Sequence, residues 1–554
     1  MKCYELRAYY QFKMVQKEYK HSKLFPDLED IPQDAAIDIL EQKVFLTGGE
    51  LKEWNGPFSK VYSPIYVRSN GESAPKYLGS YPEMDGEAAL EVMQAAKLAY
   101  NQGTGEWPTM QVKNRIIHVE LFLTAFLKTQ TEIVKWLMWE IGKNKADSEA
   151  EFERTVDYIV DTVEALKEQD RNASKLELNS GIYAQIKRGP IGVVLCMGPY
   201  NYPLNETFAT LIPALIMGNT VIFRPAKFGI LLIHPLLQIF KDCFPKGVIN
   251  VIYGDGKETA GKLMESGGID VLAFIGSSKI ANLLKRQHPS PNRLRSVLGL
   301  DAKNPAIVLA DADLEITINE CVNGALAFNG QRCTALKILY VQKEILPDFL
   351  QRFTSKVEQL KAGMPWEKDA YITPLPEPNK PVYLKELIDD AVLKGASIIN
   401  EGGGLSYQSF FFPTVLFPVN SSMRIYSEEQ FGPIVPIVPF EDISEPLNYI
   451  VESNYGQQVS LFSNNADTLA KLIDPLINQV CRININTKCQ RGPDAFPFNG
   501  RKDSAEGTLS VIDALRVFSI RTMVATRDTE QNKQIFTQIL EGRKSHFLST
   551  DFLL

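Results

Sequence analysis

Short apolar runs alternate with amphipathic stretches along most of the chain. The runs IGVVLCM, NTVIF, INVIY and VLAFI, between residues 191 and 275, have the length of buried strands, and stretches with helical spacing separate them. A strand–helix–strand alternation of this kind predicts right-handed βαβ units and a parallel sheet. A second alternation, with the strand-like runs NPAIVL, ILYVQ, ASIIN and QVSLFSN, extends from about residue 303 to residue 475. The pattern therefore predicts two α/β domains of similar size.

The flanking segments carry other patterns. Residues 1–42 mix charged and aromatic residues, and we interpret them as an N-terminal helical extension. Residues 43–70 have alternating runs around a Gly-Gly pair, which is typical of hairpin strands, whereas apolar residues spaced by three and four predict helices over residues 86–175. A hairpin-like run, LNSGIYAQIK, and a strand near Val517–Val524 are also predicted, and the C-terminal tail contains an amphipathic helix candidate, TEQNKQIFTQILEGRK.

Composition argues against several classes of partner. The 554 residues include 59 Lys and Arg against 66 Asp and Glu, a net charge of −7, whereas nucleic-acid binding depends on clustered cations. Seven Cys without paired spacing predict neither a disulfide framework nor a zinc site, and they favour a reducing compartment. The N-terminus lacks the apolar core of a secretory signal, and nowhere do 18 apolar residues run together. We expect a cytoplasmic protein without a membrane partner, a nucleic-acid partner or a metal ion.

Two segments carry candidate catalytic side chains. Cys333 lies in FNGQRCTALK, where the adjacent Arg332 supplies part of the electropositive surroundings that a reactive thiolate needs, although a lone Cys is more often a small buried hydrophobe. Asn201 lies in GPYNYP at the carboxyl end of a predicted strand, the edge at which α/β proteins bind ligands. Its amide is suited to donate to a developing oxyanion, and the alternative is an ordinary Asn-containing turn.

Two further turns are candidates for cofactor binding. The segment FIGSS places Gly276 and Ser277 at the start of a predicted helix, where free backbone N–H groups favour a phosphate; such a turn is also a common N-cap. No G-x-G-x-x-G motif occurs there, so a standard Rossmann fingerprint is absent. Glu429, in SEEQFGP, has a carboxylate suited to a sugar hydroxyl, or it belongs to a charged turn before a strand.

The order of these motifs carries a family resemblance. GPYNYP, GNTVIFRPA, FIGSS, KNPAIVLADADLE, NGQRCTALK, EEQFGP and RININ stand in the order of the aldehyde dehydrogenases, and the chain resembles that family over about residues 43–525. The resemblance implies an α/β fold of two parallel-sheet domains, one Rossmann-like for the cofactor and one catalytic, with a small β oligomerisation element. The implied boundaries are an extension over 1–42, the cofactor domain over 43–174 and 191–300, the catalytic domain over 301–505, the oligomerisation element over 175–190 and 506–530, and a tail over 531–554.

The chemistry of the family gives the candidate residues their roles. The resemblance implies that the Cys333 thiolate attacks an aldehyde carbon, that Asn201 and the Cys333 backbone N–H stabilise the oxyanion, and that hydride transfer to a nicotinamide leaves a thioester. Arg224 and Lys227 lie where the family holds the adenine ribose, and two cations there favour NADP, with NAD as the alternative. Further implied cofactor contacts, to the phosphates and the nicotinamide ribose, come from Gly276, Ser277, Glu429 and Phe431.

Within the family, the chain most resembles the non-phosphorylating, NADP-dependent glyceraldehyde-3-phosphate dehydrogenases. PYNYPLN, GQRCTALK, DAYITPL and CQRGPDAFPFNGRKDS carry this likeness. In that subfamily arginines and a tyrosine hold the substrate phosphate, and the matching residues here are Arg154, Tyr202, Arg332 and Arg491. Three arginines at one site repel each other, so we expect them to need an anion such as a phosphate dianion. The implied reaction is oxidation of glyceraldehyde 3-phosphate to 3-phosphoglycerate.

One position departs from the family pattern. The general base of the family is the Glu of an E-L-G-G-K stretch, and alignment on Lys303-Asn304-Pro305 places Gly299 there. Loss of a general base typically costs about 10²–10⁴ in the rate of that step. Slow hydrolysis, hydrolysis through another carboxylate such as Asp301, and acyl transfer to coenzyme A all remain open, as do a broad-specificity enzyme and a catalytically degenerate binding subunit. The RGPDAFPF stretch favours hydrolysis.

The resemblance also bears on assembly. In the family, strands that match LNSGIYAQIK and the region near Val517–Val524 form a sheet whose exposed edge pairs with a neighbouring subunit. We therefore expect a homodimer or homotetramer, with a small-molecule aldehyde as the substrate.

Overall fold

The computed structural model describes residues 24–552, and strands and helices alternate along most of this length. The strands are, in chain order, β1 (Leu40–Glu41), β2 (Val44–Thr47), β3 (Glu50–Glu53), β4 (Phe58–Ser69), β5 (Glu72–Pro82), β6 (Leu176–Asn179), β7 (Ile182–Pro190), β8 (Val193–Met197), β9 (Thr220–Arg224), β10 (Ile249–Val251), β11 (Val271–Ile275), β12 (Arg295–Gly299), β13 (Pro305–Val308), β14 (Ile338–Gln342), β15 (Ser397–Ile398), β16 (Ser406–Tyr407), β17 (Phe410–Phe411), β18 (Thr414–Phe417), β19 (Ile434–Phe440), β20 (Tyr455–Gly456), β21 (Gln458–Phe462), β22 (Arg482–Ile485), β23 (Arg501–Lys502), β24 (Ala505–Glu506) and β25 (Ser519–Arg527).

The α-helices are, in chain order, α1 (Gly86–Tyr100), α2 (Glu106–Thr109), α3 (Val112–Phe126), α4 (Gln130–Ile141), α5 (Lys145–Asn172), α6 (Asn205–Ile216), α7 (His234–Cys243), α8 (Lys262–Glu265), α9 (Ser278–Gln287), α10 (Leu314–Leu326), α11 (Leu346–Glu358), α12 (Lys380–Leu393), α13 (Arg424–Ser427), α14 (Ser444–Glu452), α15 (Ala466–Leu476), α16 (Val511–Val517) and α17 (Glu530–Glu541). Short 3₁₀ turns lie at Leu28–Asp30, Asn101–Gly103, Leu127–Thr129, Leu231–Ile233 and Ala327–Gly330, and a π-helical turn lies at Lys257–Gly261.

The first large sheet has eight strands in the order β24-β12-β11-β8-β9-β10-β2-β3. Its centre, from β12 to β10, is parallel, whereas β24 and the β2–β3 hairpin add antiparallel edges. Every side chain of β8 and β11 is buried, as expected when helices cover both faces of a parallel sheet. The apolar runs of the first alternation therefore form the central strands, as predicted.

The second large sheet has seven strands in the order β15-β18-β19-β14-β13-β21-β22, parallel except at β15. Two hydrophobic clusters pack on its opposite faces. Along β13, Ile307 belongs to one cluster, and Ala306 and Val308 belong to the other, because successive side chains of a strand point to opposite faces. The two sheets with parallel centres confirm the predicted α/β fold class.

A smaller sheet has the order β25-β7-β6, and β25 pairs with β7 from Ser519 to Arg527. Strand β25 lies at its edge, where the sequence predicts the oligomerisation element; pairing with a second subunit there stays a prediction. The predicted tail helix is α17. No helix within residues 24–552 is long and apolar enough to cross a membrane.

The predicted N-terminal helical extension falls partly on residues 1–23, outside the described residues. Over residues 24–42 the expectation is wrong, because the structure has only the 3₁₀ turn and β1 there. Pro26 and Pro32 explain the difference, since proline disfavours helical backbone at the residue before it and lacks an N–H. Phe25 instead packs into the core, with its ring centroid 5.2 Å from that of Phe410.

Candidate active site

A cleft of about 1350 Å³ opens at the carboxyl ends of the parallel strands β8, β9, β11 and β12. Ligands of α/β proteins bind at this edge. All of the side chains and glycines that the sequence singles out line this one cleft: Arg154, Asn201, Tyr202, Arg224, Lys227, Gly276, Ser277, Gly299, Arg332, Cys333, Glu429, Phe431 and Arg491. Within the described residues, no group of three or more His, Cys, Asp or Glu side chains is placed to hold a metal ion.

Cys333 follows the 3₁₀ turn at Ala327–Gly330 and is half-buried in the wall of the cleft. Its carbonyl accepts a hydrogen bond of 2.7 Å from the Asn304 side chain, which fixes the backbone of the loop. Burial raises the pKa of the Cys333 thiol, and the nearby Lys337 ammonium opposes this rise by favouring the thiolate. The site therefore provides a positive charge for a nucleophilic sulfur, although burial limits its ionisation.

Asn201 lies in the turn between β8 and α6 and is buried. Its Nδ2 donates to the Gln331 carbonyl at 2.8 Å, two residues before Cys333, and the second N–H of the amide has no partner among residues 24–552 and is available to a ligand. The turn itself needs Gly198, because an added Cβ would lie 1.7 Å from Thr207 Oγ1. A single hydrogen bond therefore couples the proposed oxyanion donor to the nucleophile loop.

A buried ion pair lies beneath this turn. Lys143 Nζ bonds to the Glu151 carboxylate, and both side chains are fully buried. The same ammonium donates to the Asn201 carbonyl at 2.8 Å and lies 3.7 Å from the centroid of the Tyr202 ring. Burial lowers the pKa of Lys143, and the Glu151 carboxylate opposes this change. Glu151 also accepts from the backbone N–H groups of Leu204 and Asn205, at 3.0 and 3.1 Å.

The predicted phosphate-holding arginines already have partners. Arg154, from α5, forms a two-bond ion pair with Asp494 at 2.8 and 2.9 Å. Arg491 contacts the Glu206 carboxylate and lies 3.2 Å from Asp494. The expectation that the cluster needs an external anion is therefore wrong for these two residues, because two carboxylates balance two guanidinium groups. The arginines nevertheless line the cleft.

Tyr202 and Arg332 complete the predicted substrate end. The Tyr202 ring packs edge-on against Phe328, with ring centroids 6.1 Å apart, and burial raises the pKa of its hydroxyl. Arg332 donates to the carbonyls of Asn323 and Gly324 at 3.0 and 2.8 Å, near the end of α10. No carboxylate pairs with Arg332 within residues 24–552, so it retains a net charge beside Cys333.

The other end of the cleft carries the predicted cofactor residues. Arg224 ends β9 and donates to the Gly254 carbonyl at 2.7 Å, and its buried Nε has no hydrogen-bond partner within the described part of the chain. Lys227 is exposed, and no ion pair engages it among residues 24–552. Ser277 caps α9 by accepting from the Ile280 N–H at 3.4 Å. Gly276 and Ser277 therefore form the N-cap turn that the sequence offered as the alternative to a phosphate site.

Glu429 and Phe431 also line the cleft. The Glu429 carboxylate pairs with Lys337 and accepts from the Ala302 N–H at 3.3 Å. Burial raises the pKa of Glu429, and the Lys337 charge lowers it. The Phe431 ring faces two cations, with Lys337 Nζ 4.7 Å and Lys380 Nζ 5.7 Å from its centroid. Glu429 thus links the cofactor end electrostatically to Cys333, since Lys337 acts on both.

Comparison with known proteins identifies the family. The profile of the aldehyde dehydrogenase family matches residues 68–524. The chain belongs to the aldehyde dehydrogenase family. An NADP-dependent glyceraldehyde-3-phosphate dehydrogenase of Streptococcus equinus is 31% identical over 493 residues, which cover 86% of this chain and 96% of the relative. A malonate-semialdehyde dehydrogenase of Bacillus cereus is 28% identical, covering 81% of this chain and 92% of the relative.

Solved structures of other aldehyde dehydrogenases have the same fold as this chain. The NADP-dependent glyceraldehyde-3-phosphate dehydrogenase of Bacillus halodurans, solved in complex with NADP, has 30% sequence identity and a TM-score of 0.79. The match covers 88% of this chain and all of that one. The resemblance stated from the motifs is therefore confirmed, together with the fold and the assignment to aldehyde-oxidising enzymes.

Gly299, which the resemblance places at the position of the family's general base, has room for a side chain. Gly299 ends β12, and a Cβ added there would lie 3.4 Å from the nearest carbons of Ile275 and 3.7 Å from Leu509, which are ordinary contacts. Asp301, the alternative carboxylate, accepts from the Ser278 N–H at 2.7 Å at the start of α9. This bond engages one carboxylate oxygen of Asp301, which itself lines the cleft, so the role of Asp301 as the replacement base stays a prediction.

Sequence reasoning missed several charged residues of this aldehyde dehydrogenase site. Lys143, Glu151 and Glu206 lie in predicted helical regions, and no local motif marks their contacts with a turn far along the chain. Asp494 gives a usable signal, because it follows Arg491 by three residues within RGPDAFPF. Lys337 gives another, four residues after Cys333 in the same motif. Each missed residue neutralises or orients one that was predicted.

Proposed function

We propose that this aldehyde dehydrogenase oxidises a small phosphorylated aldehyde, glyceraldehyde 3-phosphate in the first instance, with NADP. The observation that carries the proposal is the pair Arg154 and Arg491, held by Asp494 in the cleft that contains Cys333. Planar guanidinium groups recognise phosphate through paired charge-assisted hydrogen bonds. The relative from Streptococcus equinus, whose name states this activity, supports the same substrate.

The cations at the other end of the cleft support NADP. Arg224 has a buried Nε without a hydrogen-bond partner among the described residues, and the exposed Lys227 has no ion-pair partner there. These donors fit a 2′-phosphate, which brings negative charge and acceptor oxygens. Glu429 would bond the nicotinamide ribose, and Phe431 would pack nearby. Bound there, NADP supplies a hydride acceptor.

The residues of the chain supply the remaining chemistry. The Cys333 sulfur forms a bond to the aldehyde carbon, and the carbonyl oxygen becomes an oxyanion. Asn201 Nδ2–H and the Cys333 backbone N–H donate to that oxygen, and one such donor is typically worth about 3 kcal/mol in the transition state. Loss of hydride from the carbon leaves a thioester on Cys333. Water then cleaves the carbon–sulfur bond and releases the acid and the Cys333 thiol. A glycine stands at position 299, so no carboxylate there activates the water.

The test is incubation of purified protein with glyceraldehyde 3-phosphate and NADP, without inorganic phosphate or coenzyme A, followed by NADPH absorbance. Sustained turnover is the expected result. Absence of NADPH formation would overturn the substrate assignment. A burst of about one NADPH per site, followed by a stall, would overturn hydrolysis as the final step. The second candidate function is then an acylating enzyme that passes the acyl group of the thioester to coenzyme A, which the glycine at position 299 favours.

Arg154→Gln tests the phosphate contact directly. Loss of a charge-assisted hydrogen bond typically costs about 1.5–3 kcal/mol, so KM for glyceraldehyde 3-phosphate should rise roughly 10- to 100-fold. KM for unphosphorylated glyceraldehyde should stay within about a factor of three. Arg352→Gln is the matched control, because Arg352 lies exposed on α11, pairs with Asp348 and does not line the cleft. Equal effects of Arg154→Gln on both substrates would contradict the phosphate role.

A further inference from the structure

The buried pair Lys143–Glu151 is not among the residues that line the cleft, and the chemistry described above does not use it. Burying two opposite charges removes both from water, and the attraction between them often fails to repay that cost. A fully buried ion pair is thus weak evidence for stability. The role of the pair is better judged from the groups to which it is hydrogen-bonded.

All of these contacts converge on the turn between β8 and α6. Lys143 Nζ donates to the carbonyl of Asn201 in the middle of the turn, and Glu151 accepts from the N–H groups of Leu204 and Asn205, where the turn passes into α6. Because Lys143 also bonds to Glu151, the two side chains connect the middle of the turn, at Asn201, with its C-terminal end.

The ammonium also contacts the aromatic surroundings of the turn. Lys143 Nζ lies 3.7 Å from the centroid of the Tyr202 ring and 4.5 Å from that of Phe328, so it is held between two aromatic faces. Cation–π contacts of this kind are strongest when the cation is shielded from water. The pair therefore restrains the backbone of Asn201 and the side chain of its neighbour together.

We propose that Lys143 and Glu151 are positioning residues that fix the turn carrying Asn201 and so hold its amide where the oxyanion forms. Catalytic groups must stay within about 0.5 Å of the productive geometry, which requires support from surrounding residues. Within the described part of the chain, the Asn201 side chain has one hydrogen-bond partner, the Gln331 carbonyl. The backbone anchor from Lys143 supplies the second point that orients the amide. The inference rests on the thiol chemistry of the proposed function, but not on its substrate.

The test separates a step that forms an oxyanion from one that does not. With p-nitrophenyl acetate, the Cys333 sulfur bonds to the ester carbon, an oxyanion forms, and its collapse expels p-nitrophenolate and leaves an acetyl thioester. With iodoacetamide, the same sulfur displaces iodide from a saturated carbon and no oxyanion forms. Neither reagent needs the cofactor or a phosphorylated aldehyde. Both rates are measured on the purified full-length protein.

The principal variant is Lys143→Met combined with Glu151→Gln, which removes both charges and retains the acceptor oxygen for the start of α6. Its control is Lys187→Met combined with Asp170→Asn, which neutralises another buried ion pair, with Nζ and Oδ1 2.7 Å apart, outside the cleft. Lys143→Arg is a second variant that keeps the charge but moves the donor. Thermal unfolding of each variant checks that it is folded.

We expect the double variant Lys143→Met with Glu151→Gln to slow the p-nitrophenolate burst at least about 10-fold. Removal of a whole oxyanion donor typically lowers the rate more, by about 10²–10³-fold. Iodoacetamide alkylation should change less than about threefold, and Lys143→Arg should show the same selectivity. An unchanged burst, or equal losses in both reactions, would overturn the positioning role. A wild-type protein that releases no nitrophenolate would overturn Cys333 as the nucleophile, a failure of the proposed function rather than of the positioning role alone.

Discussion

Introducing a carboxylate at Gly299 directly tests whether the missing general base limits hydrolysis of the thioester. Gly299 lies outside the left-handed backbone region, and an added Cβ meets only ordinary contacts with Ile275 and Leu509. Replacing glycine at a compatible position typically stabilises by about 0.4–1 kcal/mol through the unfolded chain. Gly299→Ala should therefore unfold at the same temperature as the wild type or a higher one, and Gly299→Glu should place its carboxylate in the cleft.

The size of the expected gain follows from the step that the carboxylate would assist. General-base catalysis contributes about 10²–10⁴ in rate, which corresponds to about 3–5 kcal/mol of activation free energy. The atoms nearest to an added Cβ are apolar carbons of Ile275 and Leu509, which donate no hydrogen bond to a carboxylate, so we expect the lower end, about 10²-fold, for thioester hydrolysis. Formation of the thioester should not change, because Cys333 and Asn201 keep their contacts with Asn304 and Gln331.

Stopped-flow NADPH absorbance separates the two steps into a burst and a steady state. Gly299→Glu should raise the steady-state rate and leave the burst rate unchanged. Gly299→Gln, which has the same size but no basic carboxylate, is the matched control and should behave like Gly299→Ala. Equal steady-state rates for Gly299→Glu and Gly299→Gln would refute the reasoning, since hydrolysis would then not be limited by the missing base.

Four further outcomes are expected. Lys227→Glu should raise KM for NADP about 10-fold or more while leaving KM for NAD within a factor of about two, because a carboxylate repels a 2′-phosphate; equal changes would contradict the cofactor assignment. Asn201→Ala should slow the NADPH burst about 10²–10³-fold, and a change in KM alone would count against an oxyanion role. Alkylation of Cys333 by iodoacetamide should rise with pH, because burial raises the pKa of the thiol and the thiolate is the reactive form. In Lys337→Met the midpoint should move to higher pH, since the Lys337 charge lowers that pKa; a downward shift would show that another group controls the thiol.

The sequence predicts the sheets well because their strands are buried on both faces. A continuous apolar run such as Val271–Ile275 has few alternatives to a central strand once helices flank it. The segment before residue 43 shows the opposite case, since prolines and tertiary packing of Phe25 decide its conformation. Local pattern therefore suffices where burial is uniform, and it fails where a few distant contacts compete.

The residues of the candidate site also fall into two groups, those that a local motif predicts and those that depend on distant contacts. Cys333 and Asn201 are recognisable because each lies in a dense motif, and the family resemblance supplies their roles. Glu206 and Glu151 are not, because they act through partners 285 and 53 residues away along the chain. The error over the arginine charges has this cause. Counting cations from motifs omits the carboxylates that the fold brings to them.

The shared carboxylate of Asp494 has a consequence for how tightly the cleft can hold an anion. Arg154 and Arg491 lose side-chain freedom on folding, when Asp494 fixes them, so an arriving ligand spends little entropy on ordering them. Their electrostatic pull is correspondingly weak, because Asp494 and Glu206 cancel much of their field at a distance. Such a site discriminates by shape at short range rather than by long-range attraction. If the proposed function holds, inorganic phosphate, which lacks the carbon chain that would reach Cys333, should therefore be a weak competitor even at concentrations at which the phosphorylated aldehyde saturates the enzyme.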